Sequence, residues 1–198
     1  MNSNIILLLY IVPLVVGILF ISPLRDSLSR GPMLKFFPSL QEDTKRILFG
    51  QTLIVLSGFG VSAHTIWIHN KITEGGNYCA AQALFDCDSV IGNADYNTVP
   101  LLGIPWGWLG FIAFTLFLYF TRTIANEPQA GFVQDHIKYG KLMTMAGFAI
   151  IALLVFYEFK MGKICQYCTT AHIANVAAFF GFYQIEKAYQ SDTWRKLS

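Results

Sequence analysis

Five apolar stretches, near Asn4–Leu24, Ile47–His69, Leu101–Thr121, Leu142–Phe159 and Ile164–Ile185, each approach the length of a helix that crosses a bilayer. Roughly 20 helical residues span the hydrocarbon core, and in lipid a spanning helix satisfies its own backbone N–H and C=O groups. The pattern predicts an all-α integral membrane protein with five transmembrane helices. Composition agrees: 54% of residues are hydrophobic and only 13% charged, too apolar a balance for an ordinary soluble domain.

The first stretch lacks the basic leading region and small-residue cleavage site of a secretory signal, so it reads as a retained helix, bent at Pro13. Arg25, Arg30, Lys35, Lys45 and Arg46 precede the second stretch, Arg122, Lys138 and Lys141 sit around the gap between the third and fourth, and Lys187, Arg195 and Lys196 follow the fifth. These eleven fall on one side, against only Lys71, Lys160 and Lys163 on the other. The expected topology is therefore N-terminus outside and C-terminus cytoplasmic. The basic residues form no dense patch, so no nucleic-acid partner is expected. Glu158, at the end of a span, is expected to snorkel into the outer interface.

This topology puts all four cysteines, Cys79, Cys87, Cys165 and Cys168, on the outer side, facing an oxidising compartment such as a bacterial periplasm or the endoplasmic reticulum lumen. Two close pairs suit two redox-active or structural disulfides. The C-x7-C and C-x2-C spacings lie on separate elements with no compact ribbon between them, which argues against a metal site. In Cys165-Gln166-Tyr167-Cys168, the free N–H groups and dipole of a starting helix favour a thiolate at the leading cysteine. Two pairs on one side allow a relay by thiol–disulfide exchange, provided one pair can move. The loop pair Cys79/Cys87 is the movable one, and Asp86 and Asp88 beside Cys87 leave Cys79 as the better candidate to meet an outside thiol protein.

At 100° per residue, Cys165, Cys168, His172 and Asn175 share a wedge of about 80° on the last helix. Such a face could hold a lipid-soluble two-electron carrier such as a quinone, with Cys168 against its ring and His172 hydrogen-bonding a carbonyl oxygen. The plainer readings are a histidine satisfied by a backbone carbonyl and an asparagine that glues helices together. His64 and His69, near the outer end of the second span, read as interfacial. Pro100 and Pro105 argue against an unbroken helix through 99–108, and its apolar residues and tryptophans suggest a re-entrant or surface-lying cap over the bundle. Gly58, Gly60, Ser62, Gly103, Gly107 and Gly110 would allow close helix approach.

The ordered combination resembles the vitamin K epoxide reductase family. It consists of Cys79-x7-Cys87, Cys87-Asp88-Ser89-Val90, Leu109-Gly110 entering a span, and Cys165-x2-Cys168-Thr169-Thr170 followed by Asn175. The resemblance covers about 46–188. It implies a four-helix bundle around a quinone with an extracytoplasmic cysteine loop, preceded by an extra helix and basic loop over 1–45 and followed by a short tail over 189–198. It also implies that Cys79 meets a thioredoxin-like partner, Cys87 exchanges with Cys165, and Cys168 faces the quinone. His172 stands where vertebrate members have a tyrosine near the quinone, and Trp106 roughly where they have an asparagine, so Trp106, His172 and Asn175 are the candidate quinone contacts.

By that resemblance the chain is expected to be a bacterial-type enzyme of the inner membrane without a fused thioredoxin-like domain. It would use ubiquinone or menaquinone to reoxidise a separate periplasmic or lumenal thiol oxidase that makes disulfide bonds. The alternatives are the reverse flow, from thiols to vitamin K epoxide or quinone, and a nonenzymatic scaffold with structural disulfides. A carrier bringing electrons outward from the cytoplasm would need an inner cysteine, and the sequence has none.

Overall fold

The computed structural model describes residues 3–23, 40, 42–78, 85–100, 102–191 and 194, with the side chains of residues 3 and 4 outside the described set. Cys79, the basic residues Arg25, Arg30 and Lys35, and Arg195 and Lys196 lie outside the described residues. Among the described residues the elements are helices: α1 (Ser3–Ile21), α2 (Asp43–Thr73), the short α3 (Cys87–Ile91), α4 (Trp106–Asn126), α5 (Val133–Met161) and α6 (Gln166–Tyr189). Two isolated bridges, Phe85 with Ile164 and Thr98 with Pro105, are the only extended pairings among them.

Three helices, α2, α4 and α5, are long and apolar enough to cross a membrane. α1 contributes a shorter apolar run, Ile5–Ile21. α6 does not reach that measure, because Thr169, Thr170, His172 and Asn175 dilute its first half. Ile112, Leu116 and Tyr119 of α4, and Leu142, Met145 and Phe156 of α5, are exposed, giving the bundle an apolar outer surface suited to lipid tails. α4 starts at Trp106 rather than near Leu101, since Pro105 occupies its N-cap. α5 starts nine residues before Leu142. Its first turns bury Val133, Ile137 and Gly140 on one stripe, while Asp135 and Lys138 make the same segment too polar to register as a span.

α2 is the central helix, packing against α1, α4 and α6, while α5 joins chiefly through α6. Apolar burial gains little where the alternative is a lipid tail, so close backbone approach has to hold such a bundle together. Gly107 and Gly110 of α4 provide it: added Cβ atoms there would stand 2.7 Å from Thr65 Oγ1 and 2.9 Å from Ser62 Oγ of α2. Gly58 of α2 leaves room for the Phe114 ring, and Gly140 of α5 for the ring of Phe182. Phe117 and Phe182 then meet edge to face, 6.1 Å between centroids, at the centre of a core with Ile54, Val55 and Ile185. Gln51, fully buried on α2, donates from Nε2 to the Ala178 carbonyl of α6 at 3.2 Å. Gly103 has no close neighbour; with φ 65° it serves a turn rather than the helix approach expected of it.

Candidate functional site

The C-x-x-C is set by a tight reversal between α5 and α6. Gly162, left-handed at φ 61°, ends α5, and Cys165 is the extended N-cap of α6. Its Sγ accepts the Cys168 N–H at 3.2 Å, so a sulfur takes the place that a capping oxygen usually fills. Cys165 is fully buried, and burial favours the neutral thiol, opposing the thiolate that the helix start alone would predict. Cys168, in the first turn of α6, is only partly buried.

Cys87 opens α3 and is pinned rather than loose. The Asp86 N–H donates to the Ile164 carbonyl at 3.2 Å, laying the chain before Cys87 alongside the chain before Cys165. The Asp86 carboxylate caps α3, accepting the Ser89 N–H at 3.0 Å and the Ser89 hydroxyl at 2.5 Å, and pairs with Lys163 at 3.5 Å. These hydrogen bonds, those from Ser89 first, hold the Asp86 carboxyl below its ordinary value. Its charge is therefore directed at Ser89 and Lys163, and not mainly at the neighbouring sulfur. Asp88 accepts the Tyr78 N–H at 2.9 Å. Cys165 is in side-chain contact with both Cys87 and Cys168, so three of the four sulfurs form one cluster. Of the loop pair expected to move, Cys87 is buried at the start of α3, and Cys79 lies outside the described residues.

Next to Cys168 the bundle opens into an apolar cavity of about 140 Å³ between α2, α4, α5 and α6. One water needs only on the order of 10–15 Å³ by the same measure, so a flat ring system can enter. Cys168, His172 and Asn175 of α6 line it together with Trp106 of α4, so the three candidate contacts and one sulfur border a common space. Trp106 Nε1 is buried there with no hydrogen-bond partner among the described residues. Asn175 instead donates to the Thr144 carbonyl of α5 at 3.0 Å, and its side chain fills the space above Gly147, so helix-to-helix glue describes it better than a ring contact. Apolar walls with one unpaired N–H and one imidazole fit a flat carrier bearing a carbonyl oxygen. Among the described residues no cluster of three or more His, Asp, Glu or Cys is arranged to hold a metal.

Other features were not anticipated. Glu158 does not snorkel: it is 8% exposed, lines the cavity, and accepts the Cys165 N–H at 3.0 Å. The first helix reaches the site through rings, with Tyr10 5.7 Å from His64 and His64 5.0 Å from Tyr167 inside the C-x-x-C. His69 Nδ1 lies 3.1 Å from the Ile91 carbonyl, and Asn97 also donates to that carbonyl, tying α2 to the end of α3. The segment after α3 turns back on itself. Val99 N–H donates to Ile104 O at 2.8 Å and Trp106 N–H to Asn97 O at 3.1 Å, which brings Trp106 to the cavity wall.

A family model described as the vitamin K epoxide reductase family matches residues 51–182. No curated protein and no solved structure gives a significant match. The matched region runs from α2 to the last third of α6 and contains Cys87, Cys165, Cys168 and the cavity that Cys168 lines. The chain belongs to the vitamin K epoxide reductase family.

Proposed function

We propose that this family member is a quinone-dependent thiol oxidoreductase in which Cys79 and Cys87 pass electrons to Cys165 and Cys168, and Cys168 passes them to a quinone in the apolar cavity. The family as a whole is linked to quinones and thiol redox chemistry; the electron path through these residues is our reading. One observation carries it: Cys168 touches the Cys165 sulfur on one side and forms part of the cavity wall on the other. A quinone supplies a two-electron, two-proton sink, equivalent to one dithiol becoming one disulfide. Cys87 attacks Cys165 of the Cys165–Cys168 disulfide, releasing Cys168 as a thiolate at the start of α6, where the helix dipole stabilises it. Trp106 Nε1 and the His172 ring are the donors available to a carbonyl oxygen, and the apolar walls exclude water from the exchange.

In this reading all five long helices cross the membrane, a bacterial inner membrane, with the cysteines outside. The segment from α3 to Trp106 is the cap, and Cys79 receives electrons from a separate thioredoxin-like protein that makes disulfide bonds. The test is quinone reduction by purified protein in lipid nanodiscs, driven by a reduced thioredoxin-like protein. Wild type is expected to turn over, and Cys168→Ala to lose at least about 100-fold. Undiminished turnover in that variant would overturn the electron path, and the scaffold alternative predicts no turnover in either protein.

A further inference from the structure

We infer that Glu158 is the proton acceptor for thiol exchange at the cysteine cluster, an inference that rests on the exchange between Cys87 and Cys165 proposed above. The carboxylate is almost completely buried. Its hydrogen bond comes from the Cys165 N–H, and no cation among the described residues offsets its charge. Lys163, five residues on, pairs its ammonium with Asp86 and donates its backbone N–H to the Glu158 main-chain carbonyl. A buried carboxylate without a counter-ion is costly, and such a group beside reactive atoms is a candidate for chemistry rather than packing. Through the Cys165 N–H, Glu158 stands against the packed cluster that holds Cys87 and Cys165, and it lines the cavity that also receives Cys168.

The step balances without an added reagent. The Cys87 thiol gives its proton to the Glu158 carboxylate as its sulfur attacks Cys165. A Cys87–Cys165 bond forms, the Cys165–Cys168 bond breaks, and the electron pair leaves on Cys168 as a thiolate. Protonation removes the buried charge from Glu158, while the new charge appears at Cys168, the more exposed sulfur at the head of α6. The net charge of the cluster is unchanged. Glu158 then stands on the cavity wall with a proton that the acceptor side of the reaction consumes. The other titratable groups around it are Cys87, Cys165, Cys168, Tyr96, Tyr157 and His172, with the Asp86–Lys163 pair beyond. Among the described residues on the cavity wall, Glu158 is the only carboxylate.

The experiment reads exchange without quinone or protein partner. In a Cys79→Ala background, protein prepared with the Cys165–Cys168 disulfide and a Cys87 thiol is followed by alkylation and peptide mapping as the Cys87–Cys165 disulfide forms, from pH 5 to 9. Glu158→Gln can still accept the Cys165 N–H but cannot take a proton. It is expected to slow formation at least tenfold at neutral pH and to approach the parent rate at high pH, where the thiol ionises unaided. Glu158→Asp, which can take a proton, is expected to recover part of the rate and to shift the pH profile, an arm that remains readable if the Gln variant does not fold. Equal rates and profiles in parent and Gln variant, or an unshifted profile in the Asp variant, would overturn the proton role while leaving the relay intact. Failure of the Cys87–Cys165 bond to form in the parent at any pH would overturn the relay, and this inference with it.

Discussion

The two ends of the bundle are built on opposite rules. At the end holding the start of α2 and the end of α6, Gly140 admits an aromatic ring and Phe117, Phe182, Ile124 and Ile185 are almost wholly buried. At the cysteine end, polar backbone and side-chain hydrogen bonds set the geometry, and a cavity remains open with Trp106 and Glu158 on its wall. The first end supplies rigidity through dispersion contacts, and the second keeps reactive groups and space at a cost in stability. Substitutions at the first should therefore appear in stability, and at the second in turnover.

The largest separation is expected at Phe182. Phe182→Ala removes a ring that Gly140 and Phe117 enclose, and should cost about 3–5 kcal/mol, read as a lowered thermal midpoint in one detergent. Turnover per folded molecule should be little changed; a variant with full stability would deny the packed end its role. Gly147→Ala comes next, because it bridges the two regimes. The added Cβ would lie 2.7 Å from Asn175 Nδ2, forcing the amide off the Thr144 carbonyl. We expect a loss of about 1–3 kcal/mol together with altered quinone affinity. A change in only one of the two would place Asn175 wholly in one regime.

Asp86 offers a pH-dependent test of the cysteine end. Its folded pKa lies below the ordinary value of 3.8. The ionised carboxylate therefore contributes stability in full above that value and loses it as pH falls through the lower, folded one. Asp86→Asn should be less stable than wild type by about 0.5–1 kcal/mol at pH 7, with the gap closing as the pH is lowered below the ordinary value. A gap that persists in acid would mean the cap does not depend on charge. The smallest effect is expected at Trp106. Trp106→Phe removes an unpartnered donor, so thermal stability should hold or rise slightly while the KM for quinone rises about 2- to 10-fold, the range of one hydrogen bond.

Much of this division was legible in the sequence, and the illegible part has a common cause. The runs that became α2, α4 and α5 announced themselves by hydropathy, and the period of a helix alone put Cys165, Cys168, His172 and Asn175 on one face, the last three of them on the cavity wall. The span expected from Leu101 begins five residues later, at Trp106, because Pro105 caps the helix. What local pattern could not reveal were contacts made across the bundle. Glu158 looks like an interfacial carboxylate until the reversal at Gly162 brings it under the Cys165 N–H. Gly103 looks like a packing glycine until the turn before α4 is seen, and the aromatic link from Tyr10 through His64 to Tyr167 joins three helices whose rings lie far apart in the chain. The one available signal for Glu158 was its isolation, as an acidic residue near the end of an otherwise apolar span with no basic residue one helical turn before it.

The account rests on the sulfur of Cys87 reaching that of Cys165. Peptide mapping of Cys168→Ala, oxidised in the membrane and digested under conditions that prevent disulfide exchange, tests that contact most directly. Accumulation of a Cys87–Cys165 linked peptide is the predicted result, because the variant can form the mixed disulfide but lacks the sulfur that would resolve it from the α6 side. Recovery of only a Cys79–Cys87 linkage, with Cys165 always free, would contradict it.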